Sequence, residues 1–181
     1  LVPLNMATQR ELTIGAGPKL PLGRSDVTNN GIRVPADMQP GSGAWDAVIW
    51  AYGYQGFLPH TRLNLFGTVS ARLTGKNDWG YRFGNEVVAS LNTSYRTDSF
   101  FDLSLGAHFR HAAPDQFNGN NFPNNGGVWL SAVPAVNFKL NPVTLRASLR
   151  LPVHRNLNGT QLTTSYRASV TLFYAFRAST S

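Results

Sequence analysis

Val143-Thr144-Leu145-Arg146-Ala147-Ser148-Leu149-Arg150-Leu151-Pro152-Val153-His154 decides the fold class. Successive side chains of a strand point to opposite faces, so Val143, Leu145, Ala147, Leu149, Leu151 and Val153 share one side and the polar residues between them share the other. An apolar repeat of two held this long predicts a β-strand with one oily face. Residues 162–176 repeat the pattern, with Leu162, Thr164, Tyr166, Ala168, Val170, Leu172, Tyr174 and Phe176 on one face. Residues 101–109 and 63–73 alternate in the same way, and weaker candidates lie at 10–20, 44–57, 81–96 and 127–140. The expectation is an all-β chain of about eight antiparallel strands, with residues 1–181 as one domain.

The links support an up-and-down order. Leu58-Pro59-His60-Thr61, Thr97-Asp98-Ser99 and Asn141-Pro142 read as tight turns, whereas 21–43, 74–80, 111–126 and 155–161 are longer and rich in Gly, Asn and Pro. Short and long links alternate, which puts all the short ones at one end, together with both chain ends. Outer-membrane barrels have that arrangement, with short periplasmic turns and longer extracellular loops.

A soluble sandwich or lipocalin-like barrel would also alternate, with its polar face in water. Such a face should be rich in Lys and Glu, yet the chain has only Lys19, Lys76, Lys139, Glu11 and Glu86, and its charged share is 14% against about 25% in ordinary soluble domains. Ser, Thr, Asn and Arg fill the polar positions instead, as on an enclosed wall. Strand length agrees, since a tilted membrane-crossing strand takes about 9–11 residues. Aromatics near the predicted strand ends read as interfacial girdles: Phe57, Tyr95, Phe101, Phe138, Tyr174 and Phe176 at the short-turn end, Trp45, Trp79, Tyr81, Phe83 and Phe109 at the other. These features predict a transmembrane β-barrel in the bacterial outer membrane, in contact with its lipid.

No run reaches the roughly 18–20 apolar residues of a membrane-spanning helix, and Leu1-Val2-Pro3-Leu4-Asn5 lacks the basic start of a signal peptide. The absence of cysteine excludes disulfides, thiolate metal sites and thiol nucleophiles.

Several motifs carry a family likeness: Lys19-Leu20-Pro21-Leu22-Gly23, Met38-Gln39-Pro40-Gly41-Ser42-Gly43-Ala44-Trp45-Asp46, Tyr81-Arg82-Phe83-Gly84-Asn85, and Leu151-Pro152-Val153 followed by Asn158-Gly159-Thr160-Gln161. In order and spacing the chain resembles the outer-membrane transporter-like barrels named for the meta pathway of phenol degradation. The resemblance implies passage of small organic solutes, aromatic compounds or their acids among them. Members of that family are longer, so the resemblance also implies that this chain is the C-terminal part, eight of about twelve strands.

If the alternation holds, the inner face carries Lys19, Arg62, Arg72, Arg82, Arg96, Arg110, Lys139, Arg146, Arg150 and Arg167, with Glu11, Glu86 and Asp102 as its main acids. A cationic lumen favours anionic solutes. The alternative is a filled, non-conducting scaffold barrel in which these arginines bond to neighbouring side chains, its long loops free to contact protein partners; a soluble ligand-binding β domain is the third class. Nucleic acid is disfavoured, because the cations are spread strand by strand along an enclosed face. His108 and His111 fall on opposite faces, and His60 and His154 at opposite ends, so no shared metal site is expected. Asp102, Ser104 and His108 share a face of one strand, but Ser and His are ordinary there, and neither an enzyme nor a cofactor site is expected. Gly15-Ala16-Gly17, followed by Pro18 within a strand, does not suit a nucleotide-binding turn.

Overall fold

The computed structural model describes residues 10–57 and 62–174. Eight long strands form one sheet in chain order: β1 (Arg10–Lys19), β2 (Asp46–Gly56), β3 (Leu63–Thr74), β4 (Glu86–Arg96), β5 (Phe101–Ala112), β6 (Gly127–Leu140), β7 (Val143–Leu157) and β8 (Arg167–Tyr174). Every neighbouring pair is antiparallel, so the chain is all-β and runs up and down. Among the described residues β1 pairs only with β2 and β8 only with β7, which leaves the sheet open with two free edges.

The register carries the two faces across the whole sheet. Leu63, Tyr95, Leu103, Val136, Ala147 and Val170 stand side by side from β3 to β8, and one position along the strands the opposite row is Asn64, Ser94, Ser104, Ala135, Ser148 and Ser169. A slip of one residue in any pairing would break both rows, so the sorting fixes the register. Among the described residues nothing covers the apolar face: Leu91, Leu103, Leu105, Val170 and Leu172 are each half or more exposed, and Ala44 is the one buried hydrophobic residue. The accessible surface is 12410 Å², where a compact monomer of this mass exposes about 8,600 Å². Burial of an internal apolar core therefore does not hold this sheet together; its ladder hydrogen bonds and polar-face contacts do.

The links sort by length as the sequence predicts. Residues 97–100 and 141–142 are short, the latter with a cis Asn141-Pro142 peptide, and lie at the end opposite the long links 20–45, 75–85, 113–126 and 158–166. Of the turn at residues 58–61, with His60, only its flanks are described. At the short-turn end Tyr95, Phe101, Phe138 and Tyr174 lie on the apolar face of β4, β5, β6 and β8, with Phe100 against both Phe101 and Phe138 at 5.6 and 6.1 Å between ring centres. Phe57 follows β2 and is exposed, as is Trp45 just before it. Phe176 lies outside the described residues.

Two predicted strands are shorter than expected. Residues 162–166 belong to the last long loop, because Arg155 donates to Thr163 Oγ1 and, at 2.8 Å, to the Thr164 carbonyl, holding that segment away from a ladder. Residues 81–82 leave the 81–96 run and pair instead with 116–117. β7 continues past the expected end at Val153, through a bulge: Ser131 faces Pro152 while Leu130 faces His154, leaving Val153 as the extra residue.

Candidate functional site

The long loops build a second layer. Residues 28–29 and 32–33 form a small hairpin turned by Asn30-Gly31, and 116–117 with 120–121 another turned by Asn118-Gly119. All four turn residues have positive φ, as the tight two-residue turn demands, and Asn-Gly is the pair that accepts it most readily. Tyr81-Arg82 adds a third strand beside 116–117, joining the 75–85 loop to the 113–126 loop. In the first loop the Gln39 amide accepts from Val27 N and donates to the Val27 and Val34 carbonyls.

Asp115 locks the layer. It accepts from Tyr81 Oη at 2.6 Å and from Gly84 N at 2.7 Å, and its own N–H donates to Asn125 Oδ1 at 2.9 Å. Tyr81 is thus a member of the loop cluster, ringed by Phe83 and Phe122 at 5.0 and 5.6 Å, rather than of an interfacial girdle. Burial and, after it, the bond to Asp115 raise the Tyr81 phenol above its usual pKa of 10. A group whose pKa is raised on folding contributes stability below its unfolded value and loses it as pH climbs through the folded one. Tyr81 is expected to ionise late in an absorbance titration above pH 10, and Tyr81→Phe should remove that late contribution and cost about 1–2 kcal/mol of stability. A titration unchanged by the substitution would contradict this environment.

Two hollows open within this framework. The outer one, of about 790 Å³, lies among the loops and is lined by Trp79, Tyr81, Phe83, Phe117 and Phe122 together with Arg33, Asp37 and Asp115. Arg33 lies against the Trp79 ring. The inner one, of about 470 Å³, is lined on the polar face from Arg72 on β3 to Arg167 on β8, so that face is the concave one. Phe83, Asp115 and Asn125 line both hollows and form the partition between them.

The register sets Lys19, Arg72, Arg96, Arg110, Lys139, Arg146, Arg150 and Arg167 on this polar face. Most are partnered there. Lys19 Nζ meets Asp46 at 2.8 Å, Glu86 bridges Arg110 at 2.5 Å and Arg72 at 3.4 Å, Lys139 meets Asp102 at 2.9 Å, and Arg146 donates to Asn137 at 3.1 Å. Arg96 stands opposite Asp102. Arg110 also lies over the Trp129 ring, 4.6 Å from its centre, and Arg155, which the sequence pattern does not single out, joins the inner hollow. Arg72 Nε is buried with no acceptor among the described residues. Two of the expected inner cations lie elsewhere: Arg62 precedes β3 and pairs with Asp98 at the short-turn end, and Arg82 sits in the loop layer, its Nε donating to the Thr74 carbonyl at 3.0 Å. Position outside the eight long strands, not face parity, decides both.

The residues weighed for catalysis are separately engaged. Asp102 accepts from Lys139 and from Thr97 N, Ser104 accepts from Asn137, and His108 bonds Ser90 across the β4–β5 pair at 3.0 Å. His111 lies on the apolar face, opposite in sense to His108, and the described residues contain no cluster of metal-ligating side chains. No protein-family model matches the chain, and no curated protein matches it.

Proposed function

We propose that the eight strands are the wall of an outer-membrane β-barrel of the class named for the meta pathway of phenol degradation, and that it passively admits small organic solutes. The observation that carries the reading is the succession of two hollows sharing the Phe83, Asp115 and Asn125 partition, the outer aromatic and the inner cationic. A solute with an apolar body and an anionic group meets rings first and guanidinium groups next. The unpacked apolar face, with large exposed side chains on strand after strand, supports lipid as its neighbour, since the largest apolar patch on a soluble monomer is about 300–600 Å².

The filled-scaffold reading is favoured by one set of contacts, the Arg72–Glu86–Arg110 and Lys139–Asp102 links that tie the inner face to itself. Liposome swelling separates the two. Folded protein reconstituted in liposomes is expected to admit benzoate faster than benzylammonium, and both faster than protein-free vesicles. Swelling no faster than in protein-free vesicles would overturn the channel and leave the scaffold.

A further inference from the structure

We propose that Arg150 and Arg167 form an oxyanion site on the concave face, selective for a small organic carboxylate. The two residues stand directly opposite each other across the β7–β8 pair, on the same face, and both line the inner hollow. Like charges placed directly opposite in a sheet destabilise it. Elsewhere on this face the same chain avoids that cost: Lys19, Arg72, Arg110, Lys139, Arg146 and Arg155 each bond an acceptor, and Arg96 faces an acid. Arg150 and Arg167 bond none among the described residues. A bound carboxylate resolves the conflict, because two guanidinium forks present parallel N–H donors that match its two oxygens.

The surroundings set the ligand class. Ser131, 8% exposed, adds a hydroxyl to the same hollow, while Trp129, Pro152 and Leu162 supply an apolar wall beside the guanidinium groups. Donors and hydrocarbon lining one hollow suit a carboxylate carrying a short apolar body better than inorganic phosphate, which offers the same oxygens without that body. The inference rests on the proposed function only for the route by which the ligand arrives; binding itself is measured without flux.

The test is calorimetric titration of the full chain in zwitterionic detergent at low salt, with sodium butyrate and, separately, inorganic phosphate. Saturable butyrate binding is expected, weakened about tenfold or more in Arg150→Gln and in Arg167→Gln, since each loses a charge-assisted pair of bonds. Arg24→Gln, which removes the same charge from an exposed loop, should bind as the parent does. Each inner substitution also relieves the repulsion, so both variants should unfold no earlier than the parent without ligand. Equal butyrate affinity in parent and variants, no saturable binding by the parent, or phosphate held as tightly as butyrate would each overturn the site. Binding without vesicle flux would overturn the channel alone, and flux without binding the site alone.

Discussion

Leu91→Arg is expected to destabilise the protein in a bilayer by about 2–4 kcal/mol, the cost of a cation at the lipid midplane if the sheet is the proposed barrel wall. Leu91 is the central residue of β4, on the apolar face and 55% exposed. Its cross-strand neighbours are Gly67 and Ala107, so a longer side chain meets no steric obstacle. In water the same change at so open a position would shift stability by no more than about 0.5 kcal/mol. Denaturant unfolding from phospholipid vesicles reads the difference, and an effect below about 0.5 kcal/mol there would sink the lipid-facing assignment.

Asp46→Ala should cost about 3 kcal/mol, for a different reason. The Asp46 side chain is 2% exposed and takes Lys19 Nζ on one oxygen at 2.8 Å and Gly75 N on the other at 3.1 Å. It thereby ties β1 and β2 to the chain leaving β3. Lys19 in turn donates to Ser42 Oγ at 2.7 Å, and the Ser42 carbonyl accepts from Asn77 Nδ2 at 3.0 Å, which anchors the 20–45 loop to the 75–85 loop. Removing the carboxylate leaves a backbone donor and an ammonium without their acceptor. The cost sits at the low end for a broken buried pair, because Lys19 keeps 41% of its side chain in solvent. The denaturant midpoint should fall and protease cleavage within 20–45 should rise, whereas Asp26→Ala, which breaks the exposed Arg24–Asp26 pair, should change stability by about 0.5 kcal/mol or less. Equal effects of the two substitutions would contradict the anchoring role.

The sheet was legible because lateral sorting and strand periodicity have one cause. Residues 63–73 and 101–109 alternate cleanly in the sequence and sit in unbroken ladders, and 143–153 alternates as cleanly and pairs with its neighbours up to the bulge at Val153. The loop layer was not legible from period, since it is built by side chains bonding backbone. Tyr81 and Phe83 extend the alternation of β4 on paper, but Asp115 holds Gly84 N and Tyr81 Oη, and Thr74 Oγ1 takes the Phe83 carbonyl, so the run is broken at Asn85. Leu162, Thr164 and Tyr166 fail as a strand in the same way, under the grip of Arg155. One local signal does mark this layer: Asn30-Gly31 and Asn118-Gly119 are hairpin turns written in two residues. Of the inner cations, parity found those within strands, but it could not reveal that Arg150 and Arg167 would be neighbours, which depends on the β7–β8 register.

Val153 gives β7 a counting property that no substitution can imitate. Upstream of it odd-numbered residues face the oily side; downstream the same side carries His154 and Asn156, which stand opposite Leu130 and Val128. The oily band therefore ends on this strand by a change of parity, while Arg155 and Leu157 turn inward. Deleting Val153 alone would close the bulge and restore strict alternation to the strand's end, with His154 and Asn156 still outward and Arg155 still inward beside Thr163 and Thr164. Were Val153 instead to pair with Leu130, with no bulge, Arg155 and Leu157 would face outward, so it is the one extra residue that keeps Arg155 inside.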